Sequence, residues 1–315
     1  MINNMFPATI LIGIMLVSPL AAFGTANNSA TNNTANSVAI NAADLAEVKV
    51  VASFYPIYDF VRQIGGDRVQ VSSLVPLGVE PHDFEPTIQQ IQNAETADML
   101  VYNGASLEGP WIKRINAKFL VDTSQGLKLL QSSETDIQTA VDPHIWLDPI
   151  LAKYQVKKIR DGLIKVDSKN ANYYSENADK FIAELDSLDA YIKSALSNCK
   201  KKDFIAFHNA FSYFANRYGL NQHSIQGLSP AGEILPQTLR QVIQLAHQLN
   251  IDTIYSEDLI DPRLANTIAA EIPNGKVIIL SPIEGVNEEN EKAGIGYIDK
   301  MKQNVENLQI GFGCK

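Results

Sequence analysis

Basic residues are in deficit in this 315-residue chain, 26 Lys and Arg against 35 Asp and Glu, for a formal net charge of −9. That balance argues against a nucleic-acid binder. An acidic surface favours the approach of cations instead. Long apolar runs are also scarce. Ala8 to Phe23 is of signal-peptide length and short for a membrane span. No Lys or Arg precedes it. No cysteine stands at the small-residue cleavage sites Ala22-Phe23-Gly24 and Gly24-Thr25-Ala26 to take a lipid. Residues 1–24 therefore read as a signal peptide or an uncleaved N-terminal anchor. Either one predicts an exported chain, periplasmic or otherwise extracytoplasmic. Residues 25–47, rich in Asn, Ser, Thr and Ala, lack core-forming side chains and predict a disordered tether. The only cysteines are Cys199 and Cys314. In an exported protein an even pair is more often a disulfide than a metal site. Cys314 is next to last in the chain, where ends fray.

Enzyme signatures are missing too. There is no His-Glu-x-x-His motif and no nucleophile elbow. What the chain does have is three histidines, each expected where a predicted strand gives way to a loop or helix: His82 in Val-Glu-Pro-His-Asp-Phe-Glu-Pro, His144 in Asp-Pro-His-Ile-Trp-Leu-Asp-Pro, and His208 in Phe-Ile-Ala-Phe-His-Asn-Ala-Phe. They are separated by 62 and 64 residues, too far for a zinc finger. The spacing suits a site gathered from loops outside the carboxyl ends of α/β strands. Imidazole is the commonest metal ligand, and three of them favour a transition metal over calcium or magnesium. A closed tetrahedral zinc site needs a fourth ligand. Glu257 and Glu284 both follow predicted strands, and chain order does not choose between them. Asp83, Glu85, Asp142, Asp148 and Glu233 could orient imidazoles; each taken singly reads better as a helix cap or salt-bridge partner. Trp146 and Phe84 fit either a shield for the site or plain core packing. His223, in a strand, and His247, in a helix, read as surface or packing residues.

Alternating strands and helices predict a parallel sheet covered on both faces. The strands are expected at 48–54, 69–75, 99–103 and 119–122. A helical stretch with no proline after its first residue follows, Pro149 to Val166 and Asn170 to Asn198, whose only glycine is Gly162. In its second piece Tyr174, Phe181, Leu185, Leu188, Ile192 and Leu196 recur at helical spacing. A helix of roughly 29 residues would be about 43 Å long, enough to join two lobes. The alternation then restarts, with strands at 204–208, 222–226, 253–256 and 276–280 and a closing helix at 297–308. The expected fold is α/β: two similar lobes with parallel sheets on one long rigid helix, the metal site in the cleft between them. The boundaries read 48–166 for the N-terminal lobe, 167–199 for the linking helix and 200–315 for the C-terminal lobe.

Several segments, in order, carry a resemblance: Leu-Gly-Val-Glu-Pro-His-Asp-Phe-Glu-Pro, Asp-Pro-His-Ile-Trp-Leu-Asp-Pro, Phe-His-Asn-Ala-Phe-Ser-Tyr-Phe-Ala-Asn-Arg-Tyr-Gly-Leu and Leu-Ser-Pro-Ile-Glu-Gly. Over about residues 48 to 310 the chain resembles the metal-binding solute receptors of zinc and manganese ABC transporters. The resemblance implies ligands at His82, His144 and His208, with the fourth at Glu284 and Glu257 in reserve. Some members use an aspartate near the position where this chain has Ser281. Histidine at the third position is typical of the zinc receptors and glutamate of the manganese ones, so Zn²⁺ is expected, with Mn²⁺ as the alternative. Three imidazoles and one carboxylate suit Zn²⁺ better than the harder Mn²⁺. Many zinc receptors carry a His-rich loop between the first two ligands; here 131–141 has acids but no histidine. The expected function is a monomeric, non-enzymatic receptor that delivers metal to an ABC importer permease. The alternatives are a secreted zinc hydrolase, with Glu257 as its base, and a metal-binding adhesin on the same fold.

Overall fold

The first β-branched run, Val-Lys-Val-Val-Ala, forms strand β1 (Val48–Ala52) in the computed structural model, which describes residues 47–131, 141–232 and 234–314. The expected leader and tether lie outside the described residues. After β1 the chain alternates through α1 (Tyr55–Gly65), β2 (Val69–Ser73), α2 (Ile88–Thr96), β3 (Met99–Tyr102) and β4 (Leu120–Asp122). These strands make a parallel sheet of order β2-β1-β3-β4. Four of the five residues of β1 are buried, as a sheet covered on both faces requires.

Two antiparallel helices follow. Helix α3 (Pro149–Val166) starts at a proline and is capped by Asp148, whose Oδ1 accepts from Ile150 N at 2.9 Å. Helix α4 (Ala171–Leu196) is 26 residues long, and a turn of 3₁₀ helix at 168–170 takes the place of its expected start. At about 1.5 Å per residue α4 spans about 39 Å. The whole apolar stripe read from the sequence, Tyr174 to Leu196, is buried.

A second unit then repeats the first: β5 (Asp203–Ala206), α5 (Ser212–Tyr218), β6 (Asn221–Ser224), α6 (Pro236–Leu249), β7 (Thr253–Ser256), α7 (Arg263–Ala270) and β8 (Lys276–Ile279). Its parallel order, β6-β5-β7-β8, reproduces that of the first sheet. The short α8 (Glu288–Lys292) and the closing α9 (Tyr297–Phe312) follow. Sequence analysis placed no helix at α8, whose polar run Glu-Glu-Asn-Glu-Lys has no apolar period and is started by the Asn287 cap.

One apolar core runs through both lobes. On α1, Phe60 meets Tyr297 of α9 with ring centroids 5.0 Å apart, and Phe54 meets Trp146 at 4.8 Å. Helix α4 packs on α1 and α3 on one side and on α9 and α5 on the other. Cys199, just past α4, is bonded to Cys314, just past α9. The chain end is thereby fixed, and Cys314 N also donates to Gln309 O at 3.1 Å. Among the described residues no helix is long and apolar enough to cross a membrane.

Candidate metal centre

Three of the four expected ligands stand beyond the carboxyl end of a strand, where parallel α/β sheets gather their ligands. His82 lies in the loop after β2, and His208 and Glu284 lie just past β5 and β8. His144 differs from the sequence expectation. It follows no regular strand but sits between the isolated bridge Gln131–Val141 and a 3₁₀ turn at 145–147. Residues 132–140, between the two bridge residues, lie outside the described residues.

The four side chains converge. His82 Nε2 stands 3.0 Å from Glu284 Oε1 and 3.2 Å from His144 Nε2. His208 Nε2 is 3.2 Å from His144 Nε2 and 3.4 Å from Glu284 Oε1, and His144 Nε2 is 3.3 Å from that oxygen. All four donor atoms lie within 4.8 Å of one another. A tetrahedral zinc ion bonded at about 2.05 Å would hold its donors about 3.3 Å apart. The five spacings above, 3.0 to 3.4 Å, are close to those of such a shell. His144, His208 and Glu284 are buried, and only 8% of the His82 side chain is exposed.

Acids behind the imidazoles set their tautomers. His144 Nδ1 donates to Asp142 Oδ1 at 2.8 Å, and His208 Nδ1 donates to Glu257 Oε1 at 2.6 Å. With Nδ1 carrying the proton, each Nε2 turns a lone pair to the centre, the arrangement that fixes a metal-binding imidazole. Glu257 also accepts from His208 N at 3.2 Å. In this geometry the reserve ligand Glu257 supports His208 from behind, and its contact to the cluster runs through that imidazole. Asp142, which singly read as a cap or ion-pair acid, does the same for His144. Asp148 keeps the bland reading as helix cap and partner of Arg217. Glu85 does too, as the exposed partner of Arg114. Glu233 lies outside the described residues. Trp146 is fully buried with its ring centroid 5.1 Å from that of His144, whereas Phe84 packs against Trp111. His223 pairs with Asp203 away from the cluster, and His247 lies in the last turn of α6.

Sequence reasoning missed Glu80. Its Oε1 accepts from His82 N at 3.0 Å. Its Oε2 and Glu284 Oε2 are buried without a hydrogen-bond partner. The signal was the acid two residues before His82 in Val-Glu-Pro-His.

Charge at the centre is tightly coupled. Burial, which alone would raise it, is outweighed at Glu284 by the His208 and His82 charges, which hold its carboxyl well below the usual range. Burial likewise opposes the charge on His208, but Glu257 and Glu284 pull that imidazole well above its ordinary value. Asp142 raises His144 against the same burial. Burial lowers His82, with Glu284 opposing. Without a metal, protons on imidazole supply the positive charge that the buried carboxylates need.

Two like lobes fused along a shared helix, with a closed cluster of three imidazoles and one carboxylate between them, define a metal-binding solute receptor. Residues 50–311 match the family described as zinc-uptake complex component A, periplasmic, and the chain belongs to that family. It is 37% identical over 279 residues to the high-affinity zinc uptake system protein ZnuA of Bacillus subtilis (strain 168), covering 84% of this chain and 87% of that one. It spans 56% of the longer zinc-binding protein AdcA of Streptococcus pyogenes, at 34% identity. The Zn(II)-bound ZnuA-like domain of Streptococcus pneumoniae AdcA superposes with a TM-score of 0.74 at 33% identity, over 84% of this chain and 99% of that domain. The laminin-binding protein Lmb of Streptococcus agalactiae, described as bifunctional with adhesin and metal-transporting activity, superposes at 0.78 with 31% identity, over 84% and 99%.

Proposed function

We propose that this chain captures one Zn²⁺ outside the cytoplasm, through His82, His144, His208 and Glu284, and hands it to the permease of an ABC importer. The observation that carries the reading is the meeting of four donor atoms from four separate segments, at tetrahedral spacing, in a buried space. Membership of a zinc-uptake family supports the transport role. Three nitrogen donors favour Zn²⁺ over Mn²⁺. A catalytic zinc keeps a coordination position open for water or substrate. Here four protein donors would fill the shell, and Glu257 is engaged with His208. A single chain supplies all four donors, so the site needs no second copy and a monomer can serve as the working unit.

The test is competition with a chromogenic zinc chelator, using the full chain and the single variants His82→Ala, His144→Ala, His208→Ala and Glu284→Ala. Each variant is expected to lose most of its affinity. Full-affinity binding by the His82→Ala and His208→Ala variants would sink the proposal. Thermal melting distinguishes the metals: a ligand at a thousandfold excess over Kd stabilises the folded chain by about 4 kcal/mol. Zn²⁺ should raise the midpoint more than Mn²⁺ at equal concentration, and equal shifts would remove the case for zinc.

A further inference from the structure

His144 belongs by sequence to the first lobe, yet the second lobe grips the segment that carries it at both ends. Helix α5 starts four residues after His208 and bears Tyr213 and Arg217 one turn apart on one face. Tyr213 Oη donates to Asp142 O at 2.9 Å, two residues before His144, and accepts from Leu130 N at 2.9 Å. The Arg217 guanidinium binds the buried carboxylate of Asp148, four residues after His144: Nε donates at 2.9 Å to both oxygens and Nη2 at 2.6 Å to Oδ2. Between these two points Trp146 Nε1 donates to Pro282 O at 2.7 Å, two residues before Glu284. The first lobe adds the bond from Asn103 Nδ2 to Pro143 O, at 2.9 Å.

We propose that Tyr213 and Arg217 are positioning residues which set His144 against His208, so that the two imidazoles meet the ion as a preformed pair. One short rigid helix starts beside the second of these ligands and holds both flanks of the first. The 3.2 Å spacing of the two Nε2 atoms is then fixed by α5 before metal arrives. Preset donors lose less freedom on binding than donors that must be gathered, which raises affinity without adding a contact to the ion. Arg217 suits this task because a planar, bidentate guanidinium fixes orientation as well as distance. The inference rests on the zinc-receptor reading and adds two residues that touch no metal.

The experiment compares zinc affinity, by chelator competition, and the visible absorption of bound Co²⁺ in the full chain, Arg217→Gln, Tyr213→Phe and Tyr218→Phe. Tyr218 lies on the same helix but reaches Asp189 of α4 at 3.1 Å, away from the cluster, so its variant reports general loosening of α5. Loss of a group that orients a ligand lowers metal affinity about tenfold or more. That loss, with a changed Co²⁺ spectrum, is expected for Arg217→Gln and Tyr213→Phe and not for Tyr218→Phe. Tyr213→Phe removes one oxygen and keeps the ring, so it serves if Arg217→Gln fails to fold. Repeating both substitutions on His144→Ala separates positioning from general destabilisation. A residue acting through His144 has nothing left to set there, and the further loss should vanish. An equal loss in both backgrounds, or wild-type affinity in both variants, overturns the inference and leaves the receptor reading intact. A wild-type chain that takes up no zinc overturns the receptor reading, and this inference with it.

Discussion

Glu257 and Glu284 are the same residue type, both buried and both just past a strand of the second sheet, yet their roles separate. Glu284 brings Oε1 within 3.0 to 3.4 Å of all three imidazole nitrogens. Glu257 faces the far nitrogen of His208 at 2.6 Å. The first is placed to share an ion; the second holds the imidazole in the tautomer an ion needs. Proton traffic follows from this arrangement. An imidazole must be deprotonated at the coordinating nitrogen to ligate, and free imidazole titrates near 6.5. His208 and His144 hold their protons to higher pH than that, because of Glu257 with Glu284 and of Asp142 respectively. Zinc must therefore displace protons, and affinity should fall steeply as pH drops from about 7 to 5. Stability of the metal-free chain runs the other way. A raised imidazole stabilises the fold fully below about pH 6.5, and that contribution is lost as pH rises through the folded value. Zinc stabilisation should accordingly grow with pH while the metal-free midpoint declines from this source. Isothermal titration in two buffers of different ionisation heat counts the protons. No release at pH 6 would contradict a three-histidine site.

At the scale of elements, helix α3 carries an informative exception. Gly162 in mid-helix ordinarily costs about 1 kcal/mol against alanine. Here a Cβ would stand 2.8 Å from Val121 Cγ2 and 3.0 Å from Met99 Sδ, so the glycine lets α3 lie close on the first sheet. Gly162→Ala should lower stability by about 1–3 kcal/mol, as overpacking does, in place of the usual gain. A raised urea midpoint would show that the sheet yields and that close approach is not what the glycine provides. The disulfide joins the ends of α4 and α9 across 115 residues. Closing a loop of that size in the unfolded chain is worth about 2–4 kcal/mol in practice. Cys314→Ser, with Cys199→Ser to avoid a free thiol, should lose that much in urea denaturation while keeping its zinc affinity, since both cysteines lie at helix ends away from the cluster. An unchanged midpoint would show that the packing of α9 on α4 suffices alone.

At the scale of the whole molecule, a spine and a shared core restrict motion. Helix α4 has no proline or glycine to act as a hinge. Phe60 against Tyr297 and Trp146 against Pro282 join the lobes beneath the cluster. Capture of metal should proceed without wide opening of the lobes. Small-angle scattering with and without zinc is expected to return the same radius of gyration within error. A change of the size produced by domain closure would mean that α4 bends.

Much of this was legible in the chain. Val-Lys-Val-Val-Ala has the β-branched run of a buried parallel strand, and the Tyr174-to-Leu196 stripe has the period of a helix buried on one face. These are local properties, decided by side-chain shape and spacing over a few residues. The three histidines stood out as candidates through position, and the resemblance added Glu284 as the expected fourth. Other features were not, because they depend on atoms brought together across tens to hundreds of residues. No local pattern distinguishes Glu257 from Glu284, pairs Asp142 with the far side of His144, or aims Trp146 at the carbonyl of Pro282. Nor does any local signal say that a helix of the second lobe would hold a ligand of the first. The sequence by itself determined the elements, their alternation and the kinds of donor available. Only the tertiary structure decided which carboxylate faces the centre and which stands behind an imidazole, because that depends on where strand ends far apart in sequence come together.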